Sequence, residues 1–278
     1  MTPKEFNAWL ADPPRPTLVM GVLNVTPDSF SDGDKYSTRD AAIAHAEEMA
    51  AAGAELIDIG GESTRPGADP VDDDEQIRRV IPVLRAAQKL PVVCSIDTTR
   101  SKVAAAALDA GAHLVNDISA GRDDSQMFSL IARQRVPIIL MHMLGRPKTM
   151  QVAPSYDDVM AEVSGFLNER LIAAGVAGID PDKILLDPGI GFGKALPHNM
   201  ELLRRIAELS VLGRPLVIGT SRKSFIGKIT GETEPSQRLF GTAASVAWCV
   251  ANGADIVRVH DVEPMLKVVR MIRAILGS

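Results

Sequence analysis

One property limits the possible folds of this chain more than any other: a change of period repeated along nearly its whole length. Short, almost continuous apolar runs alternate with longer stretches of helical periodicity. The strand-length runs fall at 17–23, 55–59, 92–96, 113–116, 138–142, 184–187, 216–219 and 255–259. Helical segments are predicted at 39–51, 75–88, 102–110, 158–173, 199–208, 236–252 and 262–276. Strands this uniformly apolar suit a parallel sheet covered on both faces. Gly53, Gly111 and Gly253 stand where helical segments give way to the next strand, as left-handed C-caps do. Asp72, Asp73 and Asp74 read as a helix start, where anions complement the dipole.

Eight strand–helix units without a break in composition predict an α/β chain folded as a closed (β/α)8 TIM barrel. An open doubly wound sheet is the competing arrangement. The 278 residues would allow two domains on length alone, but barrels reach this size as one. The division expected is a short N-terminal extension over 1–16 and the barrel over 17–278.

Composition removes several function classes. Aromatics at 4% offer few base-stacking platforms, and a net charge of −5 argues against a phosphate-tracking surface. A small anionic substrate stays possible, because a few focused cations override the global sign. Cys94 and Cys249 have no metal-ligand or CxxC spacing and read as small buried hydrophobes. No run approaches the roughly 18 apolar residues of a membrane span. The start of the chain, with Pro13, Pro14 and Pro16, lacks a signal-peptide core. The expectation is a cytoplasmic protein.

A barrel places function at the C-terminal ends of its strands. Those ends carry Asn24, the run Gly60-Gly61-Glu62-Ser63-Thr64-Arg65, Asp97, Asn116-Asp117, His142, Asp187, the run Thr220-Ser221-Arg222-Lys223-Ser224, and Arg258 with His260. Each alone could be a cap or loop hydrogen-bonder. Together they converge on one rim. Asp97, Asn116 and Asp187 suit the edge of a flat heterocycle. Arg65, Arg222, Lys223, Arg258 and His260 suit phosphate oxygens or an aromatic face. The glycines at 189, 191 and 193 lack dinucleotide-binding spacing and read as a tight turn beside the pocket. Two polar loops, 24–33 and 60–67, follow barrel strands and carry Phe30 and Arg65. They read as mobile covers.

A series of strings completes the picture: NVTPDSFSDG from Asn24, GGESTRPGA from Gly60, Asp97-Thr98, and Asn116-Asp117-Ile118-Ser119. Met141-His142-Met143 follows with Gly145, Pro147 and Thr149-Met150-Gln151, then DPGIGFGK from Asp187, SRKSFIG from Ser221 and RVHDV from Arg258. In this order, from about residue 18 to the end, the sequence closely resembles the dihydropteroate synthase family of pterin-binding barrels, folate-pathway enzymes inhibited by sulfonamides.

The resemblance implies that Asp97, Asn116, Asp187 and Lys223 hold a pterin ring, with Arg258 on its face and Met141 lining the pocket. It implies that Asn24, Arg65, Arg258 and His260 engage a pyrophosphate, Asn24 also reaching Mg²⁺. Phe30, Thr64, Pro66, Phe192 and Ser224 would shape a p-aminobenzoate site, and Asp28 and Asp32 would close over the reacting centre. The catalytic set so implied is Asn24, Phe30, Asp32, Thr64, Arg65, Lys223, Arg258 and His260. The implied reaction joins 6-hydroxymethyl-7,8-dihydropterin pyrophosphate to p-aminobenzoate, and the implied assembly is a homodimer through late helices. Two positions depart from the pattern: Thr99-Arg100-Ser101 replaces a frequent lysine and proline, and Asp34 replaces a frequent glycine. A tetrahydrofolate-dependent methyltransferase shares the Asp and Asn residues but has no use for Arg65, Lys223 and His260 as a pyrophosphate and aminobenzoate site. A non-catalytic paralogue would be expected to have lost loop residues that are present here.

Overall fold

A computed structural model describes residues 1–26, 35–63 and 67–277. Eight parallel strands form one sheet: β1 Leu18–Asn24, β2 Leu56–Gly60, β3 Val93–Asp97, β4 Leu114–Asp117, β5 Ile138–Met141, β6 Ile184–Asp187, β7 Val217–Ile218 and β8 Ile256–Val259. The order β6-β5-β4-β3-β2-β1-β8-β7 is closed by a bridge between Leu186 and Leu216, with the Leu186 amide donating to Pro215 at 2.9 Å. The barrel expectation holds, and the open sheet is excluded by that closure.

The helices are α1 Pro3–Ala11, α2 Lys35–Ala51, α3 Asp73–Ala87, α4 Ser101–Asp109, α5 Met127–Gln134, α6 Val159–Val176, α7 Leu196–Arg204, α8 Ser224–Thr230, α9 Leu239–Ala251 and α10 Val262–Leu276. Asp72 caps α3 by accepting from the Glu75 amide at 2.9 Å, as the acidic run anticipates. Gly53, Gly111 and Gly253 take left-handed φ values of 98°, 100° and 91°.

Outward-facing strand residues such as Ile57, Ile59, Cys94, Val115 and Val257 form the main core with the helices. A second core fills the barrel's lower half with Leu18, Met20, Leu56, Val93, Leu114, Ile139, Leu185, Val217 and Ile256. Phe6, Trp9 and Leu10 of α1 join that second core. The extension over 1–16 therefore contains a helix that stoppers the N-terminal mouth. Its rings at Phe6 and Trp9 stack at 5.6 Å, and Trp9 Nε1 donates to Pro16 at 2.9 Å. With the bottom plugged by apolar side chains, the polar inward positions gather at the opposite end.

Candidate active site

The site is built on the last rungs of the strands. One register row runs Asn24–Gly60–Asp97–Asn116 across β1 to β4, and another pairs Met141 with Asp187 across β5 and β6. These side chains are thus fixed by ladder hydrogen bonds rather than by loops. Gly60 makes room in its row: a Cβ there would lie 3.5 Å from both Asn24 Oδ1 and Asp97 Cβ.

Arg258 ties the row together. Its Nη2 donates to Asp97 at 2.8 Å and its Nε donates to Asp58 at 2.7 Å. Asp58 in turn accepts from Asn116 Nδ2 at 2.9 Å. Asp97, Asn116, Asp187 and Asp58 are all buried. Burial pushes the Asp97 carboxyl up to about 7, helped by the Asp58 charge and opposed by Arg258. Burial also raises Asp187, with Lys223 and a hydrogen bond from the Gly189 amide acting against it.

Lys223 sits just before α8 and reaches across to the β6–α7 loop. Its Nζ donates to the Ile190 carbonyl and lies 4.4 Å from the centre of the Phe192 ring. Burial brings its pKa down to about 8, with Asp187 pulling the other way. That approach requires Gly191, whose φ is 82° and whose Cβ would meet Lys223 Cδ at 2.8 Å. The same loop passes the β5 end at Gly189, where a Cβ would fall 1.9 Å from the His142 carbonyl. The tight-turn reading of this glycine run is what the backbone shows.

A cavity of ≈ 430 Å³ opens at this end of the barrel. Asn24, Phe192, Lys223, Ser224, Arg258 and His260 line it, together with Gln151 and Arg238. A second cavity of ≈ 260 Å³ is lined by Asp97, Thr98, Arg100, Ile118, Arg146 and Lys148 among others. Arg258 lines the first and its partner Asp97 the second. Met141 packs with Ile118, Met143, Met150 and the partly buried Phe192, an apolar wall at the same end.

Three polar residues of the sequence-derived rim are held by protein partners, Arg222 while still lining the larger cavity. Arg222 adopts φ 58°, which turns its side chain onto Asp261 in a bidentate pair at 2.6 and 3.0 Å. A left-handed non-glycine residue costs about 1–2 kcal/mol, which that charged pair helps to offset. Asp117 accepts from Ser119 and Gly121 amides and organises its own turn. His142 continues the outward phase of β5 and packs under the helix layer, against Lys194 Nζ at 2.9 Å and the Phe166 ring of α6 at 4.9 Å. Burial and the Lys194 charge push it down to about 2, so it stays neutral. Lys194 itself is buried and donates to the Gly189 and Phe192 carbonyls at 2.9 and 3.0 Å, pinning the loop that presents Phe192.

His260 Nδ1 lies 3.1 Å from Ser221 Oγ, which also accepts from the His260 amide. Asp28, Phe30, Asp32, Thr64, Arg65 and Pro66 lie outside the described residues. Sequence reasoning missed Asp58, Lys194 and Arg238. Asp58 carried a signal: a carboxylate on the inward phase of an otherwise apolar strand, Leu56-Ile57-Asp58-Ile59.

Comparison with known proteins gives a consistent result. Residues 20–260 match the family described as pterin binding enzyme. A dihydropteroate synthase from Synechocystis is 48% identical over 260 residues, covering 93% of this chain and 90% of that protein. The solved dihydropteroate synthase of Xanthomonas albilineans with 4-aminobenzoic acid superposes with a TM-score of 0.89 at 45% identity, covering 94% of each chain. The same organism's enzyme in complex with 7,8-dihydropteroate gives 0.86 at 42% identity, again covering 94% of each chain.

Proposed function

The chain belongs to the pterin-binding enzyme family, and on that basis we propose how its rim carries out dihydropteroate synthesis. The enzyme is a transferase that forms a C–N bond. The amine nitrogen of p-aminobenzoate bonds to the methylene carbon of 6-hydroxymethyl-7,8-dihydropterin pyrophosphate, the C–O bond to pyrophosphate breaks, and the amine gives up a proton.

The observation that carries this reading is the continuity of the site. Buried acceptors on neighbouring strand ends, Asp97 and Asn116, connect through Asp58 and Arg258 to a cavity holding Asn24, Lys223 and His260. Asp97, Asn116 and Asp187 take the donor edge of the pterin, the Lys223 ammonium donates to an acceptor on the same ring, Met141 lines its apolar face, and Arg258 lies over the ring. Arg258 and His260, with Asn24, receive the pyrophosphate. Phe192, Ser224 and the stem of Lys223 shape the place of p-aminobenzoate. Charge developing on the leaving group is stabilised by fixed cations, which requires no strong protein nucleophile.

A Mg²⁺ ion fits the donor chemistry in one mode. Among the described residues no group of three or more His, Cys, Asp or Glu could cage a metal. Asn24 nevertheless offers a hard amide oxygen within the same cavity as the cations. Mg²⁺ characteristically pairs one or two protein oxygens with substrate phosphates and water. When bound it would supply charge neutralisation at the pyrophosphate. Asn24 holds its place through the β1–β2 ladder.

The proposal extends to assembly and location. Phe240 (87% exposed) and Trp248 (49% exposed) follow one stripe of α9 with Ala244 and Ala251, beside exposed Met271 and Ile275 of α10. Such a stripe suits a homodimer. Two free buried thiols and no helix among the described residues long and apolar enough to cross a membrane support a cytoplasmic setting.

Incubation with Mg²⁺, the pterin pyrophosphate and labelled p-aminobenzoate should yield labelled dihydropteroate. A folded sample giving no labelled product would overturn the synthase reading.

A further inference from the structure

Asp58 occupies the centre of the barrel, on the inward phase of β2 and two residues below the rim. It is buried and reaches no substrate position assigned above. Both of its fixed donors, Asn116 Nδ2 and Arg258 Nε, converge on Oδ2. Its Oδ1 has no partner among the described residues. The geometry therefore makes Asp58 a common anchor for two residues on strands that are not its neighbours, β4 and β8.

The consequence for Asn116 follows from hydrogen-bond chemistry. A carboxylate only accepts, so the amide can satisfy it with its NH2 end alone. The planar amide then turns its oxygen away from Asp58. An asparagine without such an anchor could present either end to a ligand. Asp97 and Asp187, the other two edge residues, are acceptors when ionised. A fixed Asn116 oxygen then joins the Asp97 and Asp187 carboxylates as a third acceptor, while Asp58 holds one of the two amide N–H groups. The 2-amino group and adjacent ring N–H of a pterin form a donor edge that meets them.

We propose that Asp58 is a positioning residue that locks the Asn116 amide with its oxygen toward the ring, so that the pterin edge meets three acceptors. The proposal rests on the pterin reading of the site. It adds a specificity-determining residue that acts through Asn116 and Arg258 rather than by touching the substrate.

The test is a polarity swap. Asp58→Asn, Asn116→Asp and the double variant D58N/N116D are compared by equilibrium binding of 6-hydroxymethyl-7,8-dihydropterin, with thermal unfolding followed in parallel. Asp58→Asn removes the anchor's charge and lets position 58 offer either a donor or an acceptor, so the Asn116 amide is no longer held one way round and pterin binding should weaken about tenfold or more. Asn116→Asp alone sets two carboxylates together and should weaken it at least as much. In the double variant the amide introduced at position 58 donates its N–H to the new carboxylate, which presents an oxygen to the ring whichever way it turns. Binding should return to within about fivefold of the unaltered protein. A merely structural role for Asp58 predicts no such recovery.

The proposal is overturned if Asp58→Asn binds the pterin within about twofold of the unaltered protein. It is equally overturned if the folded double variant is as weak as the weaker single one. A separate arm needs no variant: a ring analogue with oxo in place of the 2-amino group should bind the unaltered protein about tenfold or more weaker. Equal affinity for the two rings overturns the three-acceptor reading. Failure of the unaltered protein to bind any pterin would instead overturn the functional reading itself.

Discussion

Asp97 and Lys223 share one buried rim and are shifted by it in opposite directions. Asp97 is pushed up to about 7, chiefly by burial and then by Asp58, while burial draws Lys223 down to about 8. Below pH 7 Asp97 takes up a proton, loses its negative charge and presents an O–H where a ligand donor expects an acceptor, so pterin affinity should fall toward acid. Above pH 8 Lys223 loses its charge, so affinity should fall again toward base. Titration with the unphosphorylated hydroxymethyl dihydropterin between pH 5.5 and 9.5 should therefore show a maximum between these values, at about pH 7–8. A flat profile would separate pterin binding from both groups. The two cysteines give a simpler test. Cys94 and Cys249 are buried, and burial pushes both thiols up to about 12. Neither should react with a disulfide reagent at neutral pH until the protein is unfolded, after which both should.

At the scale of elements, the barrel's two ends separate stability from function. Trp9 of α1 seals the lower core, far along the strands from the rim residues. Trp9→Ala should destabilise the protein by about 3–5 kcal/mol in urea unfolding. Pterin affinity of the folded variant should change by less than about twofold, since the N-terminal face of a barrel serves packing. The β6–α7 loop behaves in the opposite way. Gly191→Ala would force a side chain into a left-handed φ and against Lys223. It should displace Lys223 and Phe192 and raise the KM for p-aminobenzoate about tenfold, with thermal stability lowered by only about 1–3 kcal/mol. An unchanged KM would mean the loop does not place those two side chains for the reaction.

Over the whole molecule, a negative exterior surrounds a rim where Lys223, Arg258 and His260 gather in one cavity. The remaining conspicuous surface is the α9 stripe. A glutamate at its most exposed ring, Phe240→Glu, should convert a dimer to a monomer in light scattering at micromolar concentration. A monomeric unaltered protein would remove the homodimer proposal.

The barrel was legible in the chain before any coordinate. Eight apolar runs matched strands to within about a residue, because parallel strands covered on both faces announce themselves as uninterrupted hydrophobic text. Their ends were read one residue short at Asn24, Gly60, Asp97 and Asp117, since apolarity stops where a strand passes from core to rim while its ladder continues. Rim residues such as Asp97, Asn116, Asp187 and Arg258 were legible as strand-terminal polar groups. Helix α5, at eight residues, and α8, at seven, escaped notice because so few turns leave little periodicity to detect. Which of the polar groups work together was left to the folded chain. Folding paired Arg222 with Asp261, turned His142 outward under the helix layer onto Lys194, and linked Asp58 to Asn116 and Arg258 across 58 and 200 residues of chain. Those choices depend on barrel closure, which brings distant strands side by side around one axis. No local pattern encodes them.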